Sequence, residues 1–114
     1  MQETNSNMEA LIKLLDYLRG LKIEYAYDTY DDGSISCWTE SPHVLASDAP
    51  TLDEGIAQLP ELLRQWAYYY VNDCEHSIKE WPDELPYAIK ILLCSNEEIK
   101  SCLRCDAWAG GIPF

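Results

Sequence analysis

Apolar positions near the start of the chain recur at intervals of three and four residues: Met8, Leu11, Ile12, Leu15, Leu18 and Leu21. This spacing predicts an amphipathic helix over residues 8–21, with Gly20 near its C-terminal end. The residues before it, 1–6, are polar, and we expect them to form a disordered leader.

Three short strands are predicted next. Ile23, Tyr25 and Tyr27 alternate with polar or small residues, which indicates a half-buried strand over 23–28. Asp31-Asp32-Gly33 is typical of a tight turn, and the β-forming residues of 34–40 supply the second arm of a hairpin. After the break at Ser41-Pro42, a third strand is predicted from His43 to Ala46.

A long helix follows. Thr51-Leu-Asp-Glu54 has the pattern of a capping box, in which Thr51 and Glu54 satisfy each other's backbone amides. Helical spacing continues through the apolar residues Leu52, Ile56, Leu59, Leu63, Trp66 and Tyr70. Pro60 lies inside this run and is expected to kink the helix, which should end around residues 71–73.

The last third of the chain is predicted to be mostly helical. Residues 80–86 contain two prolines and form a loop, and the apolar run 87–94 fits either a buried strand or a short helix. Pro86 favours the helix. Ser95-Asn-Glu-Glu98 is a second capping box, opening a helix to about Arg104. The tail, 107–114, is expected to pack as an irregular segment.

These elements predict one α+β domain over residues 1–114. It consists of an N-terminal helix, a three-stranded antiparallel sheet, a long helix packed on one sheet face and a helical C-terminal segment. Such a small sheet has exposed edges, so pairing with a second copy of the chain or with a partner protein is expected.

The charge of the chain narrows the class of partner. Eight Lys and Arg face twenty Asp and Glu, a net charge of -12. Such a surface repels phosphate backbones and anionic membranes, which argues against direct binding to nucleic acid or to a membrane. It attracts a basic protein over long range.

Cysteines and histidines offer weak alternatives for chemistry. The five Cys are an odd number, and no secretory pattern precedes them, so reduced thiols in the cytoplasm are expected. Cys102-Leu-Arg-Cys105 permits a zinc or redox site, with further candidate ligands at Cys74, His76 and Cys94, but their spacing matches no standard zinc motif. Cys37 and His43 could be paired as nucleophile and base, but the sequence offers no third residue that would orient the histidine. We therefore predict no catalytic residue, no metal and no cofactor.

Trp66-Ala-Tyr-Tyr-Tyr70 points to an interaction surface. Consecutive residues of a helix point about 100° apart, so three adjacent tyrosines cannot all face one core. At least one of them is expected to be exposed or at an interface, where Tyr is favoured. Exposure to water alone is the alternative.

The stretch from Ile23 to about Tyr70 resembles the HicB-type antitoxins of bacteria and related antitoxin-like proteins. Their pattern is strand, Asp-Gly turn, strand, short strand, then a helix opened by T-L-E-E-A, which corresponds here to Asp32-Gly33 and Thr51-Leu-Asp-Glu-Gly55. Residues 85–93 also resemble the C-terminal part of such proteins. The Pro-Gly-Cys turn common in HicB proteins is replaced by Pro42-His43-Val44, and no helix-turn-helix or ribbon-helix-helix pattern for operator binding is present.

The resemblance implies a non-enzymatic protein that binds and neutralises a small basic toxin. We predict that the contacts are acids near the sheet and at the start of the long helix, together with exposed tyrosines: Asp31, Asp32, Asp53, Glu54, Tyr68 and Tyr69. An immunity or adaptor protein of an unrelated system is the nearest alternative, and a small zinc or redox protein using Cys102 and Cys105 is the other.

Overall fold

The computed structural model describes residues 2–105, and the side chains of residues 7–105. The elements in chain order are helix α1 (Gln2–Gly20), strands β1 (Ile23–Thr29), β2 (Ile35–Glu40) and β3 (His43–Ala49), helices α2 (Leu52–Asn72) and α3 (Cys74–Glu80), a 3-10 turn (Pro82–Glu84), helices α4 (Leu85–Leu93) and α5 (Asn96–Ser101), and strand β4 (Leu103–Cys105). The predicted α+β class is confirmed. None of the described helices is long and apolar enough to cross a membrane.

The sheet differs from the prediction because it has a fourth strand. Its order is β3-β2-β1-β4; β1, β2 and β3 are antiparallel, as predicted, whereas β4 runs parallel to β1. Helix α5 ends at Ser101, not near Arg104. The chain then pairs with the otherwise open edge of β1: Leu103 lies opposite Ile23, whose N–H donates to the Cys102 carbonyl at 3.0 Å. Residues 103–105 form a strand because the edge of β1 is available for pairing. Nothing in the sequence of these three residues alone predicts a strand.

The predicted β1–β2 turn is confirmed. The Gly33 N–H donates to the Tyr30 carbonyl at 2.9 Å. Gly33 has a φ of 89°, a backbone conformation that residues with a side chain rarely adopt. Asp32 Oδ1 accepts from the hydroxyl of Ser34 at 2.7 Å and from its N–H at 2.9 Å. These bonds lower the pKa of the Asp32 carboxyl.

Helix α2 packs across β2 and β3 and forms the centre of the core. It buries Gly55, Leu59, Pro60, Leu63, Ala67 and Tyr70, close to the predicted stripe. Gly55 stands where the T-L-E-E-A pattern has alanine. A Cβ added there would lie 3.3 Å from the Cβ of Cys37 in β2, so glycine allows the helix to approach the sheet closely.

The ends of the helices follow the predicted caps. Thr51 Oγ1 accepts from the Glu54 N–H at 3.2 Å, which is the Thr51 half of the first capping box. At the start of α5 both bonds of the second box are present, Glu98 N–H to Ser95 Oγ and Ser95 N–H to Glu98 Oε1. Helix α2 ends at Asn72, as expected, and Pro60 lies inside it.

The apolar run 87–94 is helical through Leu93, as Pro86 favoured. Helix α4 packs against α2 and is joined to it by Arg64. The guanidinium of Arg64 donates to the Cys94 carbonyl at 2.8 Å and to Asn96 Oδ1 at 2.8 Å. One side chain of α2 thereby holds the connection between α4 and α5.

Helix α1 begins at Gln2 and not at Met8, so it includes positions 2–6, which were expected to be a disordered leader. No glycine or proline before Gly20 interrupts the helix. The predicted irregular tail, 107–114, lies outside the described residues.

Candidate functional site

The four predicted contact acids lie at one end of the sheet. In β2, Ile35 pairs with Thr29 on one side and with Ala49 on the other. The β1–β2 turn and the start of α2 are therefore neighbours. Asp31, Asp32, Asp53 and Glu54 are all exposed there, and we refer to these four residues as the acidic end.

The two predicted contact tyrosines are also exposed, but elsewhere. Tyr68 and Tyr69 are 57% and 77% exposed, whereas Tyr70 is only 4% exposed, which confirms that the three rings do not share one core. At about 1.5 Å per residue, Tyr69 lies roughly 24 Å along α2 from Asp53. The structure therefore does not bring the predicted acids and tyrosines together.

A second set of acids lies at the tyrosine end of α2, around a cavity of about 560 Å³. The cavity is formed by the end of α2, helix α3, the 3-10 turn and the β2–β3 turn. Its carboxylates are Glu40, Asp73 and Glu84, and its aromatic walls are Trp66, Tyr69, Tyr70 and Trp81. His43 and His76 complete its ionisable lining. We call it the aromatic–acidic pocket.

Hydrogen bonds within the β2–β3 turn, and from it to the 3-10 turn, hold the rim of this pocket. Thr39, which is completely buried, donates from Oγ1 to the Pro42 carbonyl and accepts from the Val44 N–H at 3.2 Å, which orders the β2–β3 turn. Ser41 in that turn donates to Glu84 Oε2 at 3.1 Å. The turn and the 3-10 segment are thereby tied together across the pocket.

The aromatic walls are also positioned by specific contacts. The Tyr70 hydroxyl donates to the Trp81 carbonyl at 2.7 Å, and the rings of Trp66 and Tyr70 are 5.4 Å apart. The rings of His76 and Trp81 meet edge to face at 5.7 Å. Trp81 nevertheless remains 52% exposed, so a large part of its ring is available to a ligand.

The pocket concentrates negative charge. Its carboxylates come from three separate segments of the chain, and the described residues that line it include no lysine or arginine. Glu40 accepts from the Trp38 indole N–H at 3.1 Å, and Glu84 accepts from Ser41. Both donors are neutral, so they orient the carboxylates without cancelling their charge. Burial, and then the charge of Glu84, raise the pKa of Tyr70.

A second cavity, of about 590 Å³, lies on the outward side of α2 and is lined by Gln65, Tyr68, Tyr69, Val71 and Asn72. Tyr69 lines both cavities. The aromatic–acidic pocket and the exposed tyrosines therefore form one continuous surface at the end of α2.

Helix α1 presents a separate, apolar surface. Met8, Leu11, Ile12 and Leu14 are each at least half exposed, and Leu18 is the one fully buried apolar residue among the described side chains of this helix. The amphipathic pattern of α1 is therefore only partly explained by packing within the chain. Contiguous exposed apolar side chains of this kind mark interaction surfaces.

The cysteines do not assemble a reactive site within the described residues. Cys102 is buried and Cys105 is exposed, and no group of three or more Cys, His, Asp or Glu in residues 2–105 is placed to hold a metal. Cys37 is buried in β2, opposite Ala46, and burial raises the pKa of its thiol to about 11. A nucleophilic cysteine requires the opposite shift.

Sequence reasoning did not find most of the pocket, because its residues are far apart in the chain. Glu40 ends β2 and His43 begins β3, on either side of a hairpin turn, whereas the other ionisable and aromatic residues of the pocket follow or end the long helix. The dense mixture of aromatic and acidic residues over 66–84 was the one available indication. The contribution of the β2–β3 turn depends on the fold.

Comparisons with known proteins identify one structural neighbour and no family model. No protein-family model matches the chain, and no curated protein matches it. The chain is similar to a crystal structure described as the antitoxin part of a proposed toxin/antitoxin system from Syntrophomonas wolfei subsp. wolfei. The two superpose with a TM-score of 0.72 at 26% sequence identity, over 82% of this chain and 68% of the other. The antitoxin-like fold is thus confirmed.

Proposed function

We propose that this chain is a non-enzymatic, HicB-type antitoxin-like protein that binds and neutralises a small basic toxin in the bacterial cytoplasm. The likeness to an antitoxin over 82% of the chain carries the proposal. In this role the protein acts by covering a surface of its partner, without catalysis, a cofactor, nucleic acid or membrane contact.

The charge distribution supports a basic partner. The chain has a net charge of -12, and acids project from both ends of α2, at the acidic end and around the aromatic–acidic pocket. A basic protein is attracted to such a surface at long range. Exposed tyrosines beside the pocket supply the aromatic contacts that are enriched at protein interfaces.

A tagged pull-down from the native cell tests this function. At low salt we expect a small basic protein in stoichiometric amount, identified by mass spectrometry, and its loss as added salt screens the attraction. The purified partner should then arrest growth when it is expressed alone, and co-expression of this chain should restore growth. Recovery of no partner, or of a partner without toxicity, would contradict the antitoxin role.

Self-association through α1 is a second part of the proposal. Met8, Leu11 and Leu15, which are exposed or half-buried, have the three-and-four spacing of a coiled-coil seam, whereas Leu18 is buried within the chain. Over residues 8–20 the acids Glu9 and Asp16 are matched by Lys13 and Arg19, although the whole chain is strongly acidic. Two copies can therefore pack α1 against α1 with little charge repulsion between the two helices. The rest of the surface, which carries the net charge of -12, would repel a second copy more strongly.

A further inference from the structure

We infer that the aromatic–acidic pocket receives an arginine side chain of the basic partner. This inference rests on the proposed function and specifies where the contact is made. It differs from the contacts predicted from sequence, because the acidic end lies at the other end of α2. The site combines a preformed cavity of about 560 Å³, aromatic walls and uncompensated carboxylates.

The charge of the site favours a cationic ligand. Glu40 and Glu84 are oriented by neutral donors, and Asp73 makes no capping hydrogen bond to α3. The three carboxylates line the cavity from separate segments of the chain, and each would attract a positive group that enters it. Arg64 and Lys90 are committed to the α4–α5 connection and to the buried core, respectively.

The aromatic walls favour guanidinium over ammonium. A planar guanidinium can stack on an indole ring while its N–H groups bind a carboxylate in a bidentate manner. Trp81 is half exposed beside Glu84, and Trp66 lies on the facing α2 side of the cavity. An ammonium group gains the attraction of the ring but not the stacking or the bidentate geometry.

The occupant is a side chain of a protein because of what surrounds the pocket. Tyr69 lines both this pocket and the second cavity along α2, where Tyr68 and Val71 are also exposed. A partner whose arginine fills the pocket would cover these tyrosines with its own surface. Anchors of this type, with a central arginine next to Tyr and Trp, dominate binding at many interfaces.

Nuclear magnetic resonance with a small probe tests the pocket directly. Isotope-labelled protein is titrated with N-acetyl-arginine amide and, as a neutral control of similar shape, with N-acetyl-citrulline amide. We expect the arginine probe to shift the Trp66, Trp81 and His76 resonances saturably, and the citrulline probe to leave them unchanged. Equal shifts with both probes, or no saturable shift with arginine, would overturn the inference.

Charge-neutralising variants connect the pocket to the partner. Asp73→Asn and Glu84→Gln should each weaken binding of the arginine probe and of the purified partner by about fivefold, because each removes a charged acceptor. Glu61→Gln is the matched control, since it makes the same charge change at an exposed position of α2 that belongs neither to the pocket lining nor to the acidic end. Spectra of the unaffected regions show whether each variant is folded.

The two proposals can fail separately. If the partner is a toxin but the pocket variants weaken its binding no more than Glu61→Gln does, the arginine site is wrong and the antitoxin function stands. If the pocket variants weaken binding of a basic partner that is not toxic, the antitoxin function is wrong and the arginine site stands.

Discussion

Lys90 in α4 is completely buried, and its Nζ donates to the backbone carbonyl of Arg19 in the last turn of α1. The same ammonium group lies 3.1 Å from the Cys102 sulfur, next to the start of β4. One buried lysine thus connects α1, α4 and the fourth strand. Its positive charge is placed at the C-terminal, negative end of the α1 dipole.

Replacement of Lys90 should destabilise the protein. Lys90→Ala removes the buried side-chain stem and the donor to Arg19, and we expect the free energy of unfolding to fall by about 2–4 kcal/mol. Lys90→Met keeps most of the packing and should lose about 1 kcal/mol. Urea denaturation measures both, with the exposed Lys100→Ala as control. Equal stability of all three variants would contradict this role.

Glu98 should contribute a pH-dependent part of the stability. Hydrogen bonds from Ser95, first from its backbone N–H, lower the pKa of the Glu98 carboxyl below its usual 4.5. A depressed folded-state pKa stabilises the fold above the unfolded-state value, and this stabilisation is lost as the pH falls through the folded-state pKa. Glu98→Gln should therefore be less stable than wild type at pH 7, and the difference should vanish in acid.

The matched control for this effect is Glu97→Gln. It removes a carboxylate from the same turn of α5 without breaking the capping box. Thermal melts of both variants across the acid range provide the comparison. If the two variants have the same pH profile, the Ser95–Glu98 bonds are not the cause.

Thiol reactivity should divide the cysteines into two classes. Cys74 and Cys105 are exposed and should react within minutes with a disulfide reagent at pH 8, whereas Cys37, Cys94 and Cys102 are buried. Burial also raises the pKa of Cys37 to about 11, so its thiolate is scarce at that pH. Mass spectrometry after labelling identifies the modified residues. Fast labelling of Cys37 in the folded protein would contradict its position in the core.

Self-association should depend on the exposed face of α1. Leu11→Lys and Ile12→Lys place charges on that face and should convert a dimer to a monomer in sedimentation analysis. The matched control is Tyr68→Lys on α2, where the side chain is equally exposed. A wild-type protein that is monomeric at high micromolar concentration, or a dimer that persists in both α1 variants, would exclude this interface.

The acidic end should contribute mainly to the rate of association with the partner. Charge reversal at the acidic end, with lysine in place of all four acids, should slow association with the partner. It should also weaken the salt dependence of binding, because exposed charges act through long-range attraction. Surface plasmon resonance at two salt concentrations separates the on-rate from the off-rate. Unchanged affinity and unchanged salt dependence would show that the electrostatic part of the proposed function is wrong.

Several features of the fold were predictable because their causes are local. The Asp-Gly turn follows from a residue that accepts positive φ, and the helix starts at Thr51 and Ser95 follow from side chains that reach neighbouring amides. The core face of α2 follows from helical spacing alone. The exposure of at least one of the three adjacent tyrosines was likewise predictable, since the side chains of consecutive helical residues point about 100° apart.

Other features depended on contacts between distant segments. Residues 103–105 become a strand because the β1 edge is open beside them, and the run 87–94 fitted either a strand or a helix as an isolated pattern. The aromatic–acidic pocket joins Glu40 to Glu84 across a hydrogen-bonded turn, which no spacing along the chain indicates. Amino-acid pattern determined the first three strands, the long helix and the sign of the charge. Tertiary packing decided which acids face one cavity, because long-range proximity is a property of the folded chain.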